Sequence, residues 1–322
     1  MLTAEIKAKL DVVSSGYHGH SFSFSDYLSA LGSAKKLGQN VFWAEVLSSS
    51  FTIGKSILQK LPKQSGLVLI SAIQTAGIGR GNNQWISPRG MACFTLHFDL
   101  PLLDNEASCK LSQVLTWTQH LSSIAVTQTC NELLCQYDNG NELDVEIKIK
   151  WPNDIYVIDK KTNTASKIAG AVSTASLSDT TKARCLLGIG INVANPLPTT
   201  CLFEIIRRRS TNKNVEMPSI ATVIGRTIFH LERLIGQLER GDMEGIKELY
   251  TKFWIHSGQR IKAICEGECI ECVILGVDDF GYLIARQVES GELVTLHTDG
   301  NSIDMASRTI ISRSFSRFEK MQ

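Results

Sequence analysis

The stretch Gln74-Thr75-Ala76-Gly77-Ile78-Gly79-Arg80-Gly81-Asn82-Asn83-Gln84-Trp85 decides how this chain is read. It follows an apolar run, Leu67-Val68-Leu69-Ile70, with the texture of a buried strand. Alternate glycines at 77, 79 and 81 let the backbone turn sharply and approach a ligand without Cβ clashes. Arg80 stands among them, and the indole of Trp85 closes the segment. Glycine amides plus one guanidinium suit a phosphate or carboxylate, and the following Trp can stack on a base or fill an apolar pocket. The segment therefore reads as an anion-binding loop, and of neither common kind. A dinucleotide turn carries glycine at the sixth position of Gly-x-Gly-x-x-Gly and runs straight into a helix. Here that position is Asn82, and Pro88 and Gly90 argue against a helix. A Walker loop ends in Gly-Lys-Ser/Thr, which is also absent.

At 322 residues the chain has room for one large domain and one small one. Its formal net charge of +1 gives no electrostatic reason to expect nucleic acid or an anionic membrane as partner. No apolar run approaches the roughly 20 residues that span a bilayer. Glu5 and Asp11 interrupt the basic-then-apolar pattern of a secretory leader. Nine cysteines at irregular spacings suit buried thiols in a reducing compartment, so a cytoplasmic protein is expected.

Outward from the loop, the pattern predicts an α+β chain in three parts. Residues 1–38 are polar and irregular and read as an N-terminal extension or loosely attached cap. Residues 39–255 form the catalytic-size domain. A strand over 41–46 leads to Ser48-Ser49-Ser50 and a helical pattern with Ile53, Ile57, Leu58 and Leu61 on one face. Serines in that place serve as helix N-caps. Strands are expected at 92–98, 145–151, 155–158, 167–173 and 186–193, and helices at 111–131, 220–238 and 243–253. Residues 256–322 change to short strands punctuated by Gly267, Gly276, Gly281 and Gly291, the texture of a small β module.

Three further segments carry chemistry. In Lys150-Trp151-Pro152-Asn153-Asp154, Pro152 breaks the ladder and sets a polar pair at a strand edge or turn. A carboxylate held there can hold a cation, bind magnesium, or take a proton from an amine. Lys167 precedes small residues, Ala169-Gly170-Ala171, that leave a groove open beneath an ammonium. In Gly188-Ile189-Gly190-Ile191-Asn192, glycines within a strand mark close approach of a ligand or another backbone.

Together these segments resemble the biotin protein ligase (holocarboxylase synthetase) family of eukaryotic type. That family carries Gly-(Arg/Lys)-Gly-Arg-Gly-x-x-x-Trp, Lys-Trp-Pro-Asn-Asp, Lys-(Ile/Leu)-(Ala/Gly)-Gly and Gly-x-Gly-x-Asn in this order. His256-Ser257-Gly258-Gln259 and Asp299-Gly300-Asn301-Ser302 extend the resemblance into the C-terminal part. The resemblance implies a core like that of class II aminoacyl-tRNA synthetases and an SH3-like barrel after it. It implies ATP-dependent formation of biotinyl-AMP, then transfer of biotin to a lysine of the biotin carboxyl carrier domain of carboxylases. The substrates would be biotin and ATP with Mg2+, and the enzyme a monomer or weak dimer. Ser49, Ser50 and Gln74 would bind the ureido ring. Arg80 and the amides of Gly77, Gly79 and Gly81 would hold the biotin carboxylate and the adenylate phosphate. Lys167 would bridge the carboxylate and the α-phosphate, over a floor containing Gly170 and Gly188. Trp85 would line the adenine pocket with Asn192 nearby, and Asp154 with Asn153 would face the acceptor amine or a magnesium ion.

One position departs from the pattern, because Ile78 stands where relatives carry Arg or Lys. The missing charge predicts weaker ATP or biotin binding. Three other readings compete. A lipoate ligase would share the architecture, though Lys-Trp-Pro-Asn-Asp and the C-terminal part favour biotin. A DNA-binding repressor would need a helix-turn-helix that residues 1–38 are too short to hold. Cys265-x3-Cys269-x2-Cys272 has an iron–sulfur spacing, but the stretch reads as two strands around Glu266-Gly267-Glu268.

Overall fold

A computed structural model describes residues 22–63, 65–102, 110–137, 145–196, 199–209, 216–265, 268–297, 303–304, 307–311 and 315–317. Residues 1–21 and the Asp299–Ser302 run lie outside the described residues.

Helix α1 (Phe24–Leu31) opens the described chain, with Ser23 as its N-cap accepting from the Asp26 N–H. It is packed rather than loosely attached. Tyr27 is fully buried and donates its hydroxyl to the Gly38 carbonyl at 2.8 Å. The Glu232 carboxylate accepts from the backbone N–H groups of Lys35, Lys36 and Leu37 at 2.7–2.9 Å. Polar composition hid this helix, whose apolar face is only three residues wide.

β1 (Asn40–Leu47), α2 (Ser50–Ile57), β2 (Leu67–Gln74) and β3 (Met91–Pro101) follow. The long α3 (Lys110–Gln136) leads to β4 (Val145–Lys150), β5 (Asp154–Asp159), β6 (Thr164–Leu177) and β7 (Lys182–Asn192). These seven strands form one mixed sheet in the order β1-β2-β3-β7-β6-β5-β4, parallel at β1–β2 and antiparallel elsewhere. Central β7 is buried along nearly its whole length, as expected when both faces are covered. The period-2 alternation of β2 shows what covers them. Leu67 and Leu69 pack with Ile57 and Leu61 on the α2 side. Val68 and Ile70 join the main core with Trp117, Leu121 and Ile124 of α3.

Three more helices complete this layer: α4 (Leu202–Arg209), α5 (Ile220–Glu239) and α6 (Met243–Phe253). Helix α4 lies outside the sequence expectation. Gly225 of α5 admits α1 closely, because a Cβ there would lie 2.6 Å from the Tyr27 carbonyl oxygen.

The second sheet comprises β8 (Arg260–Cys265), β9 (Glu268–Val277), β10 (Leu283–Gln287), β11 (Leu293–Leu296), β12 (Thr309–Ile311) and β13 (Phe315–Arg317). Its order is β12-β8-β9-β10-β11-β13. β8 and β9 pair antiparallel, as the hairpin reading of this stretch expects. Cys269 is exposed and Cys272 buried, on opposite faces of β9, which is no arrangement for a shared cluster. No helix among the described residues is long and apolar enough to cross a membrane.

Candidate active site

Sheet register builds the floor of a cleft on the α2 face of the first sheet. Thr95 of β3, Gly188 of β7 and Val172 of β6 stand in one row, and Cys93, Gly190, Gly170 and Asp154 in the next. Glycines in two central strands make the sheet surface concave there. At Gly188 the Phe51 ring of α2 fills the space, with its Cδ2 3.0 Å from where a Cβ would stand. At Gly190 the Trp85 indole does so, and a Cβ would meet its Nε1 at 2.5 Å.

One wall is the start of α2. The Ser49 hydroxyl caps the helix by accepting from the Thr52 N–H. Gln74, at the end of β2, accepts through Oε1 from the Ser50 N–H (2.8 Å) and hydroxyl (3.1 Å), and donates through Nε2 to Ser87 Oγ (3.0 Å). Ser50 Oγ also lies 2.8 Å from Thr95 Oγ1. This preformed array of donors and acceptors suits a planar polar ring.

The glycine loop forms a second wall as a tight hairpin. Trp85 N–H donates to the Gly77 carbonyl (2.8 Å), Gly79 N–H to the Asn83 carbonyl (2.7 Å), and Asn83 Nδ2 to the Arg80 carbonyl (2.9 Å). A Cβ at Gly77 would stand 2.4 Å from the Trp85 carbonyl oxygen, and Gly81 adopts φ +65°. Both positions therefore demand glycine for the loop to close. Arg80 faces the cleft. Burial draws its pKa below the usual value, while Asp154 and then Tyr250 act to raise it.

Lys167 reaches the cleft because of a β-bulge. Asp154 pairs with Gly170 and Ile155 with Ala169, but Tyr156 pairs with Lys167. Ile168 is the extra residue, so Lys167 shares the face of Gly170 instead of the opposite one. Its Nζ lies 2.6 Å from Asp154 Oδ1 and 5.2 Å from the centre of the Trp85 ring. An ammonium, a guanidinium and a carboxylate thus meet over a glycine floor.

Behind the carboxylate, the Lys150–Asp154 run is held tightly. Asn153 Nδ2 donates to the Ala171 carbonyl at 2.5 Å. Trp151 is fully buried, and its N–H donates to His256 Nε2 at 3.0 Å. His256 Nδ1 donates in turn to Gln259 Oε1 at 2.6 Å, which assigns one neutral tautomer. Burial pushes this imidazole down to about 4, against the Gln259 bond, which acts to raise it.

The cleft is lined by Ser49, Ser50, Gln74, Gly79, Arg80, Trp85, Asn153, Asp154, Lys167, Gly170 and Gly188. Of the other residues picked from sequence, Gly77 and Gly81 shape the loop without lining the cleft. Asn192 donates Nδ2 to the Thr200 carbonyl at 3.1 Å, one residue pair beyond the floor. Thr95, Phe51, Phe94, Val172 and Gly190 line the cleft without having been singled out as site residues. The Gly-x-Gly pattern around 188–190 was the available signal for the last. The residues present do not make a magnesium cage. No group of three His, Cys, Asp or Glu side chains converges among the described residues, and Asp154 is already bonded to Lys167.

The model of the biotin/lipoate A/B protein ligase family matches residues 43–192. Human biotin–protein ligase is 34% identical over 281 residues, covering 87% of this chain and 36% of the human protein. Biotin–protein ligase 2 of Arabidopsis thaliana is 30% identical over 288 residues, covering 88% of this chain and 80% of the plant protein. The chain therefore spans about a third of the human relative and most of the plant one. Among solved structures, Aquifex aeolicus biotin protein ligase in complex with biotin and ATP aligns at TM-score 0.55 and 19% identity. The alignment covers 80% of this chain and 98% of that one, a likeness of fold.

Proposed function

This chain belongs to the biotin protein ligase family, and from that premise we propose that it is an ATP-dependent biotin–protein ligase. The observation that carries the reading is the meeting of Arg80, Lys167 and Asp154 in one cleft, with the Ser49–Ser50–Gln74 array as its other wall. The ureido ring of biotin binds at that array, and its carboxylate lies toward Arg80 and Lys167. Joining a carboxylate to a triphosphate brings two anions together, and the two cations with the loop amides offset that repulsion. A biotin carboxylate oxygen attacks the α-phosphorus, the bond to the β-phosphate oxygen breaks, and pyrophosphate leaves. Magnesium arrives on the nucleotide phosphates, as part of the substrate.

The biotinyl-AMP so formed is a mixed anhydride, and the hairpin loop over the cleft shields it from water. An acceptor lysine on the carrier domain of a biotin-dependent carboxylase then attacks the acyl carbon, and AMP leaves. Asp154 holds the incoming ammonium or takes its proton. Trp85 stacks on the adenine. We read residues 39–255 as the catalytic domain, with a class II synthetase-like core, and 256–322 as an SH3-like module, both in the cytoplasm. The test is biotin-dependent ATP–pyrophosphate exchange. The purified chain is expected to exchange label only with biotin present. Exchange that ignores biotin, or responds to lipoate instead, overturns the assignment.

A further inference from the structure

A fully buried contact joins the second sheet to the back of the Lys150–Asp154 run. The turn between β9 and β10 is closed by Asp278, whose Oδ1 accepts from the N–H groups of Phe280 and Tyr282, both at 2.9 Å. Its carbonyls point into the first layer. The Asp279 carbonyl accepts from Gln113 Nε2 and Trp117 Nε1 of α3, both at 2.7 Å. The Gly281 carbonyl accepts from Trp151 Nε1 at 3.3 Å and lies 2.8 Å from His120 Nε2. The other ring nitrogen of His120 lies 3.1 Å from the Pro152 carbonyl, which also accepts the Tyr250 hydroxyl at 2.9 Å.

One imidazole with no solvent exposure therefore touches both the β9–β10 turn and the carbonyl two residues before Asp154. Burial holds this ring neutral, down to about 4, and Arg80 acts in the same direction. With one N–H to give, the shorter contact marks Nε2 as donor to Gly281. The bonded link from that carbonyl to the run is Trp151 Nε1, while Nδ1 only packs against Pro152, whose carbonyl Tyr250 satisfies. The site is thus assembled from behind by three aromatic side chains and one turn. None of these groups lines the cleft.

We propose that the β9–β10 turn is a positioning element for the catalytic run, with His120 and Gly281 as the positioning residues through which the second sheet sets Asn153 and Asp154. The inference rests on the ligase reading, in which Asp154 serves the acceptor amine. The biotin wall at Ser49–Ser50–Gln74 belongs to other elements, the start of α2 and the end of β2. Loosening the run should then slow transfer to the acceptor more than it weakens biotin binding. A merely structural role would lower every step alike.

His120→Phe removes both ring nitrogens, and His120→Gln keeps a donor. Gly281→Ala perturbs the contact from the other side, since its Cβ would stand 2.7 Å from both His120 Nε2 and Thr116 Cγ2. Each variant is assayed for biotin-dependent pyrophosphate exchange, for biotin affinity, and for single-turnover transfer to a biotin-accepting carrier domain. Amide hydrogen exchange at residues 150–156 gives a readout independent of activity. Expected for His120→Phe and Gly281→Ala is a transfer rate down about tenfold, the scale of one lost buried hydrogen bond. Biotin affinity should stay within about twofold, with faster amide exchange at 150–156 and part of the loss restored in His120→Gln. If His120→Phe does not fold, Gly281→Ala and His120→Gln decide. Unchanged amide exchange, or an equal fall in all three activities, overturns the proposal. Absence of exchange in the parent chain overturns the ligase reading itself.

Discussion

Replacing Lys167 by Met keeps the length of the side chain and removes its charge. Lys167 Nζ stands 2.6 Å from Asp154 Oδ1, with side-chain exposures of 35% and 19%, so the pair is neither fully screened nor dry. A unit charge about 4 Å from a phosphate oxygen is worth ~4 kcal/mol at an effective dielectric of about 20, and ~1 kcal/mol in bulk water. The part-exposed site falls between these limits, and Asp154 offsets some of the charge. A loss of roughly 3 kcal/mol in the adenylation transition state corresponds to about a hundredfold slower exchange. The assay is biotin-dependent ATP–pyrophosphate exchange with both substrates saturating, beside a direct biotin-binding titration. The variant also leaves the Asp154 carboxylate without its partner, facing the incoming anions. Adding Asp154→Asn to Lys167→Met should therefore recover biotin affinity while leaving exchange slow. Exchange within about threefold of the parent in Lys167→Met would refute the assignment of Lys167 to the reacting anions.

Gly190→Ala drives a methyl against the Trp85 indole, whose Nε1 would be 2.5 Å away. Overpacking of this kind should cost about 1–3 kcal/mol, read as a lower melting temperature and a shifted tryptophan emission; an unchanged emission would mean the indole does not rest on that floor. Ile78→Arg adds a cation to the cleft lining, and a tighter apparent KM for ATP or biotin is expected; no gain removes the significance given to Ile78. Arg80→Gly should let the intermediate escape and acylate bystander lysines, measured by mass spectrometry of an added carrier protein, and a variant that retains its adenylate as the parent does contradicts the anchoring role. Three buried histidines give the pH prediction. Burial lowers His97, His120 and His256 to about 4, against about 6.5 in an unfolded chain. Their folded-state values are depressed, so their stabilising contribution is complete above pH about 6.5 and is lost as pH falls toward 4, each adding a slope of up to ~1.4 kcal/mol per pH unit. Urea midpoints that do not fall between pH 7 and pH 5 would contradict the buried neutral rings.

Much of the fold is legible in the sequence because its strands carry strong local signals. Leu67–Ile70 and 186–193 are apolar and β-branched, and both become inner strands. The ends are less legible. β6 runs from Thr164 to Leu177, well past the expected 173, because Thr174, Ala175 and Ser176 pair with β7 without forming an apolar run. Helix α1 is invisible for a related reason, since its stability comes from partners more than 190 residues away. Glu232 binds the three N–H groups that follow it, and Gly225 makes room for it. Neither fact has a local trace near residue 24.

The candidate site divides along the same line. Residue types at Arg80, Asp154 and Lys167 can be picked from motifs, since a charge near glycine, proline or small residues is a local pattern. Whether they face one cleft is a question of parity. Lys167 and Gly170 are three apart, and an unbroken strand would place their side chains on opposite faces. By that rule Lys167 belongs in the hydrophobic core with Trp117 and Leu121. The bulge at Ile168 reverses this: it turns Ile168, with no exposed surface, into the core and Lys167 onto Gly170 and Asp154. Nothing in Lys167-Ile168-Ala169-Gly170 announces the bulge, because any of the three later residues can occupy the extra position. The meeting of Lys167 with Asp154 over the glycine floor is therefore decided by one unpaired residue in a strand, where the motif alone leaves the lysine's face open.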